Sequence, residues 1–329
     1  MRRINEDIKT NSFKQVYLLT GSQDYLRHQY RDRLAEAILG SGDRQNLTYF
    51  TGKDISQPQI VDLAETLPFF ADRRVIVIED SGLCKGGGDV LADYLKAPCE
   101  TTYFVFVEPE TNKSTKLYKA IANIGYIGEF GEQDERTLRA WIAKIVQDEK
   151  MTIDPGALGF FIEHCGTDMG YIKTELDKLI SYCYMRKVIT KEDVKAICSE
   201  VTENRIFEMV DAVAAGKPER ALSLYRDLVQ LRVRAMNILS LIARQFNQLL
   251  QTKMLMEGGY NNALIAKELK LPQFVANKNA ALAAKFRRVT LQKALTECVQ
   301  TEEDIKSGRL QEGIGVEMLI VTLATRQKL

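Results

Sequence analysis

Several stretches of this sequence carry residue types that could do chemistry at a phosphate, a metal or a thiol. A phosphate-binding loop needs several glycines, so that backbone N–H groups can cradle the phosphates, and a lysine to neutralise them. After a first strand-like run the chain offers Thr20-Gly21-Ser22-Gln23-Asp24-Tyr25-Leu26, with one glycine, no Gly-Lys-Ser/Thr, and an aspartate that would repel phosphate. It does not read as a working phosphate loop. Gly86-Gly87-Gly88 is followed by no lysine and hydroxyl and reads as a flexible loop. Ile78-Glu79-Asp80 resembles the acidic end of a metal-binding strand, but with no phosphate loop to serve it reads as a solvated strand end. His164 and Cys165 are adjacent, yet no second histidine and no carboxylate stands at ligand spacing, so a structural role is expected. Asn112-Lys113-Ser114-Thr115-Lys116 reads as a helix start capped by Asn112 or Ser114; Lys113 and Lys116 are either solvated or contacts to DNA phosphate or a partner. No catalytic set and no metal site emerges, and no cofactor is expected.

The other distinctive stretch is Thr66-Leu67-Pro68-Phe69-Phe70-Ala71-Asp72-Arg73-Arg74. Ile60, Leu63, Ala64 and Leu67 before it recur at helical spacing, and Pro68 disfavours helical geometry at Leu67, so a helix ending at Leu67 is predicted. Val75-Ile76-Val77-Ile78 after it is a β-branched run that reads as a buried strand. In an extended connection, neighbouring side chains point to opposite sides, so one core can hardly bury both Phe69 and Phe70. Two readings stand: at least one ring fills the core, or an exposed aromatic pair with a polar rim anchors a partner.

The elements that must position these residues follow from pattern. The chain has 329 residues, enough for two or three domains, and its net charge of +1 gives no global basic field for nucleic acid. Six scattered cysteines without a C-x-x-C pair fit reduced thiols in the cytosol. No apolar run approaches the roughly 18 residues needed to span a bilayer, and none of signal length follows the first residues; a soluble cytoplasmic protein is expected. Residues 1–131 alternate strands (Val16 to Leu19, Tyr49-Phe50, Val75 to Ile78, Tyr103 to Val107, Tyr126-Ile127) with helices, which predicts a mainly parallel sheet covered on both faces, the architecture of nucleotide-binding ATPase cores. Residues 132–200 read as helical, with Asp154-Pro155 and Thr190 as helix starts. Residues 201–329 read as a wholly helical segment, broken at Gly216-Lys217-Pro218 and Gly258-Gly259.

The segment Leu67 to Arg73, followed by a strand, resembles the clamp-binding element of the delta subunit of the bacterial DNA polymerase III clamp loader, in which two large apolar residues precede Ala-x-Arg. Val16 to Leu26 is similar to that family's opening. Tyr171 to Leu179, with its Glu-Leu-Asp-Lys-Leu core, resembles its helical lid, and Leu271 to Lys278 and Asp304 to Gly308 resemble its collar. The resemblance implies an AAA+-type ATPase-like domain without a working phosphate loop (1–131), a lid (132–200) and an oligomerisation collar (201–329). It implies a non-catalytic subunit of a DNA-directed DNA polymerase holoenzyme that holds a sliding clamp (beta ring) open during replication. The clamp would be bound through Leu67, Phe69, Phe70, Arg73 and Arg74, the two arginines facing acidic groups on its rim. The implied partners are the clamp, ATP-binding and delta-prime-like companion subunits, and primer–template DNA, with no membrane. A divergent AAA+ ATPase and a helical DNA-binding regulator using residues 260–280 are the alternatives.

Overall fold

The computed structural model describes residues 2–131 and 133–325; Met1, Glu132 and residues 326–329, the outer ends and the junction of the expected domains, lie outside the described residues. The chain divides into two compact units, one of residues 1–133 with 168–170 and one of 134–167 with 171–329. In the first unit, helix α1 (Arg2–Thr10) precedes β1 (Val16–Thr20), α2 (Asp24–Leu39), β2 (Leu47–Thr51), α3 (Gln57–Glu65), β3 (Arg74–Glu79), α4 (Asp89–Tyr94), β4 (Thr102–Glu108), α5 (Lys116–Ile124) and β5 (Tyr126–Glu129). The five strands form one parallel sheet in the order β2-β3-β4-β1-β5.

Parallel strands need crossovers, and here each crossover carries a helix, so the inner strands are covered on both faces. This is why Val75 to Ile78 and Phe104 to Val107 read as unbroken apolar runs: all of these side chains are buried. In register, Arg74 faces Thr102 and Ile76 faces Phe104. Ile60 and Ala64 of α3, Leu91 of α4, and Leu117 and Ile121 of α5 close one face of the sheet. Between α5 and β5 the chain passes so near β1 that a Cβ on Gly125 would lie 2.2 Å from the Val16 carbonyl oxygen, which only glycine tolerates. The second strand runs from Leu47 to Thr51, longer than Tyr49-Phe50 alone, because pairing to β3 continues to Glu79.

Next along the chain come α6 (Glu135–Asp148), β6 (Thr152–Ile153), α7 (Pro155–Cys165), α8 (Met169–Cys183), β7 (Val188–Ile189) and α9 (Lys191–Ile197), all in the second unit except the first two residues of α8. The parallel pair β6–β7 is an addition to the expected all-helical pattern; two-residue strands leave no period to detect. Pro155 opens α7 as expected, with Asp154 at the N-cap position but making no side-chain cap bond. The remaining helices are α10 (Thr202–Ala214), α11 (Pro218–Gln230), α12 (Ala235–Glu257), α13 (Asn262–Glu268), α14 (Gln273–Ala283), α15 (Arg288–Lys306) and α16 (Glu312–Thr325). Ile206, Val210, Leu228, Ile242, Phe246, Leu291 and Ile320 share one core, in which the Phe246 and Phe286 rings meet edge to face at 6.0 Å. Ile265, Ala266 and Ala276 make a smaller core between α13 and α14. On α16 the buried face is Val316, Leu319, Ile320 and Leu323, while Ile314, Met318 and Val321 form an exposed apolar stripe at spacings of four and three. No helix among the described residues is long and apolar enough to cross a membrane.

Thr190 starts α9 with a reciprocal capping box: Asp193 accepts from the Thr190 amide at 2.9 Å and hydroxyl at 2.8 Å, while the Thr190 hydroxyl accepts from the Asp193 amide. Burial works to raise the Asp193 pKa, but the Arg186 guanidinium at 2.6 Å and the Thr190 donors outweigh it and hold the carboxyl at about 2. A folded-state pKa below the unfolded value means that this contribution to stability is present above the ordinary carboxylate pKa and is lost as pH falls toward 2. Acid titration of the melting temperature should therefore be shallower between about pH 4 and pH 2 in Asp193→Asn than in the parent chain; identical slopes would show that the cap is energetically idle.

Candidate functional site

Helix α3 ends at Glu65, two residues before the position that Pro68 alone predicts. Thr66 takes an extended conformation and turns its hydroxyl back onto the Leu63 carbonyl at 2.6 Å, so it caps the helix before proline geometry applies. From there to β3 the chain pushes its large apolar side chains into water: Leu67 is 79% exposed, Phe69 50% and Phe70 92%. Neither ring is core. The two rings meet edge to face with centroids 4.6 Å apart, and Phe70 sits at φ +45°, a left-handed backbone state that is rare and strained for an aromatic residue.

Two side chains hold this loop by its backbone, and a third, from within the loop, ties it to its surroundings. Asn46, fully buried in the 3₁₀ turn before β2, donates its Nδ2 to the Phe69 carbonyl at 2.8 Å and accepts the Phe69 N–H on Oδ1 at 2.6 Å. Arg74 donates Nη2 to the Leu67 carbonyl at 2.9 Å. Arg73 is half-buried between the Phe13 and Tyr103 rings, at 5.3 and 5.7 Å, and donates to Asn11 Oδ1 and the Ile38 carbonyl. The expectation that Arg74 is a rim charge is corrected: its side chain is buried, because the first residue of an inner strand turns it under the loop. Ala71 closes over Gly42, where a Cβ would meet the Ala71 methyl at 3.2 Å. Asn46 was not legible in the sequence, since nothing in the type or spacing of a lone asparagine says which backbone it will grip.

The opposite ends of the strands hold the crevice where a parallel sheet ordinarily binds phosphates. Here the chain's own backbone fills it. Gly21, at φ +120°, presses against Phe130 so closely that a Cβ would lie 2.3 Å from the Phe130 carbonyl oxygen. The N–H of Gly21 donates to the Pro109 carbonyl at 3.3 Å, and that of Gln23 to the Phe130 carbonyl at 2.9 Å. Amides that would face a phosphate are thus spent on carbonyls. Glu79, expected to be solvated at the end of β3, is buried instead. Arg31 pairs with both of its oxygens at 2.8 and 2.7 Å, and His28 Nε2 lies 2.5 Å from Oε1. Glu108, at the end of β4, accepts from the Ser81 amide and hydroxyl and the Gly82 amide. Burial raises its pKa against the lowering effect of those donors. It also lies beside Cys84, whose thiol burial pushes up to about 12.

The other sequence candidates resolve locally. Thr115, not Asn112 or Ser114, caps α5, because Asn112 uses its Oδ1 to accept from the Ser114 amide and hydroxyl two residues on. Lys116 pairs with Asp89 at 3.3 Å, and Lys113 is exposed with no ion pair among the described residues. His164 stacks on Phe160 and meets the Cys198 carbonyl at 3.2 Å, while Cys165 is buried against Cys198. Among the described residues no group of three or more His, Cys, Asp or Glu could hold a metal.

Together these features define an ATPase-like α/β domain whose phosphate crevice is closed from within, joined to a helical unit. The family model for the DNA polymerase III delta subunit matches residues 17–127, and that for the delta subunit's C-terminal domain matches residues 203–323. DNA polymerase III subunit delta of Bacillus subtilis is 24% identical over 98% of this chain and 96% of its own length. A probable subunit delta of Aquifex aeolicus is 23% identical over 83% of this chain and 79% of its own. The solved structure of the Bacillus subtilis clamp loader delta protein shares the fold, with a TM-score of 0.66 and 23% identity over 99% of both chains. The chain belongs to the delta-subunit family of the bacterial DNA polymerase III clamp loader. It is therefore a replication protein that associates with other subunits of DNA polymerase III.

The closed crevice generates a direct expectation. Titration calorimetry of the pure chain with Mg-ATP should give no saturable heat, because the Gly21 and Gln23 amides are already paired; micromolar binding would show that the crevice opens.

Proposed function

We propose that this chain inserts Leu67, Phe69 and Phe70 as a wedge into an apolar pocket of the ring-shaped sliding clamp and holds one ring interface open while the clamp is placed on primed DNA. The observation that carries this reading is the loop itself: aromatic side chains turned outward on a backbone fastened inward. Desolvated aromatic anchors contribute on the order of 2–4 kcal/mol each at such interfaces. A loop already ordered before binding loses less entropy on docking. Arg73 and Arg74 serve the clamp contact by holding the loop in place. The chain does not itself hydrolyse ATP; ATP-binding and delta-prime-like companions supply that step in the cytoplasm. Residues 1–131 act as the clamp-binding ATPase-like domain, 132–200 as the lid and 201–329 as the collar. The exposed stripe Ile314, Met318 and Val321 supports the collar reading, since an apolar helix face of that kind is stable against another subunit.

Two functions should separate. Phe69→Ala combined with Phe70→Ala should weaken binding to purified sliding clamp by roughly two to four orders of magnitude, with little change in melting temperature and with companion-subunit assembly intact. Met318→Lys should do the reverse, impairing assembly and sparing clamp binding. Unchanged clamp affinity per folded molecule in the double variant defeats the wedge reading; wild-type assembly of Met318→Lys defeats the α16 interface.

Lys113, and Lys116 behind its pairing to Asp89, are the proposed contacts to primer–template phosphate. Charge reversal, Lys113→Glu, should weaken DNA binding by the assembled complex and lower the steepness of its salt dependence by about one ion. An unaltered salt slope would remove Lys113 from the DNA path.

A further inference from the structure

Phe70 stands at φ +45° in open solvent, and no apolar contact of its own ring with the core accounts for that state. What fixes it lies one residue earlier. Asn46 meets both backbone polar groups of Phe69, N–H to Oδ1 at 2.6 Å and C=O from Nδ2 at 2.8 Å, as a neighbouring strand would. Asn46 is itself anchored through its backbone. Its main-chain N–H donates to the Asp43 carbonyl at 2.9 Å, Asp43 caps the turn by accepting from the Gln45 amide, and Asn46 has no exposed surface through which water could replace it. Only one orientation of the amide satisfies both bonds, because the flipped one sets NH₂ against N–H and oxygen against oxygen. The side chain must also be short and carry one donor and one acceptor. Alanine has neither, glutamine is a methylene too long, and aspartate lacks the donor.

From this geometry we infer that Asn46 is the positioning residue of the clamp-binding loop: by pairing with both sides of the Phe69 peptide it sets the direction in which the Phe69–Phe70 wedge points. Asn46 lies in the turn before β2, more than twenty residues from the wedge, and does not contact the clamp. It acts by removing conformations in which the rings fold back, so the cost of ordering the loop is met before the clamp arrives. The inference rests on the clamp-binding reading above.

The test measures affinity for purified sliding clamp and melting temperature of the full chain in the parent, Asn46→Ala, the Phe69→Ala/Phe70→Ala pair, and the triple variant. Asn46→Ala alone should weaken binding roughly ten- to hundred-fold, the scale of two lost hydrogen bonds. In the triple variant the same change should cost no further affinity, because there is no wedge left to aim. A loss of equal size in both backgrounds means that Asn46 acts elsewhere and overturns the proposal, as does wild-type affinity in Asn46→Ala. If the parent and the double-Phe variant bind alike, it is the clamp-binding reading that fails, and the two failures are thereby told apart. Should Asn46→Ala not stay folded, the near-isosteric Asn46→Asp decides. Its carboxylate still accepts the Phe69 N–H but opposes the Phe69 carbonyl, so affinity should fall, and parent-like affinity overturns the proposal. Independently of any variant, the Phe69 amide of the free chain should exchange with deuterium slowly; exchange at the rate of an open loop overturns the assignment.

Discussion

A loop can push large apolar side chains into water only if its backbone is held by something other than those side chains. Ordinarily a loop is fixed by burying its own apolar residues, and its polar backbone is left to solvent. Between α3 and β3 the arrangement is inverted. Leu67, Phe69 and Phe70 face outward, so the Leu67 and Phe69 peptides must find their partners inside the protein, and they find them in Arg74 and Asn46. Both partners are buried, which removes the competition from water that makes surface hydrogen bonds weak. The strained φ of Phe70 is tolerable for the same reason: the residues on either side of it leave it no alternative.

The same principle, with the opposite result, governs the other end of the sheet. A phosphate crevice works because its amides are left unpaired by the protein and are offered to a ligand. In this chain the amides of Gly21 and Gln23 are taken by Pro109 and Phe130, and the carboxylate at the end of β3 is taken by Arg31 and His28. The sheet order is retained while amides at that end of the strands are paired by the chain itself. A fold does not fix a function, and here the difference lies in a few amides and their partners.

How much of this was legible in the sequence follows from the range of each interaction. The strands and their order of appearance came through because β-branched apolar runs must be buried wherever they fall, and the lack of a phosphate lysine is a local fact. The outward pair Phe69 and Phe70 was visible as two aromatics that one core could not bury together. What stayed hidden was long-range pairing of polar groups. Glu79 looks solvated until Arg31 and His28 arrive from α2, and Arg74 looks like a surface charge until the strand turns it under Leu67. Asn46 lies 23 positions from Phe69, and a single asparagine carries no periodicity from which its partner could be read. Helix ends were misplaced where a threonine hydroxyl capped at a different residue from the one suggested, before Pro68 at Thr66 and after Asn112 at Thr115.

Strand β3 joins these two regions. Its first residue, Arg74, grips the wedge, and its last, Glu79, sits in the filled crevice, about 17 Å away at the usual rise of a strand. Between them lie four buried residues bonded on both sides, to β2 and to β4. So braced, β3 ties the loop at one end of the sheet and the filled crevice at the other into a single hydrogen-bonded layer, and neither end of the strand can shift without breaking its pairing to β2 or β4.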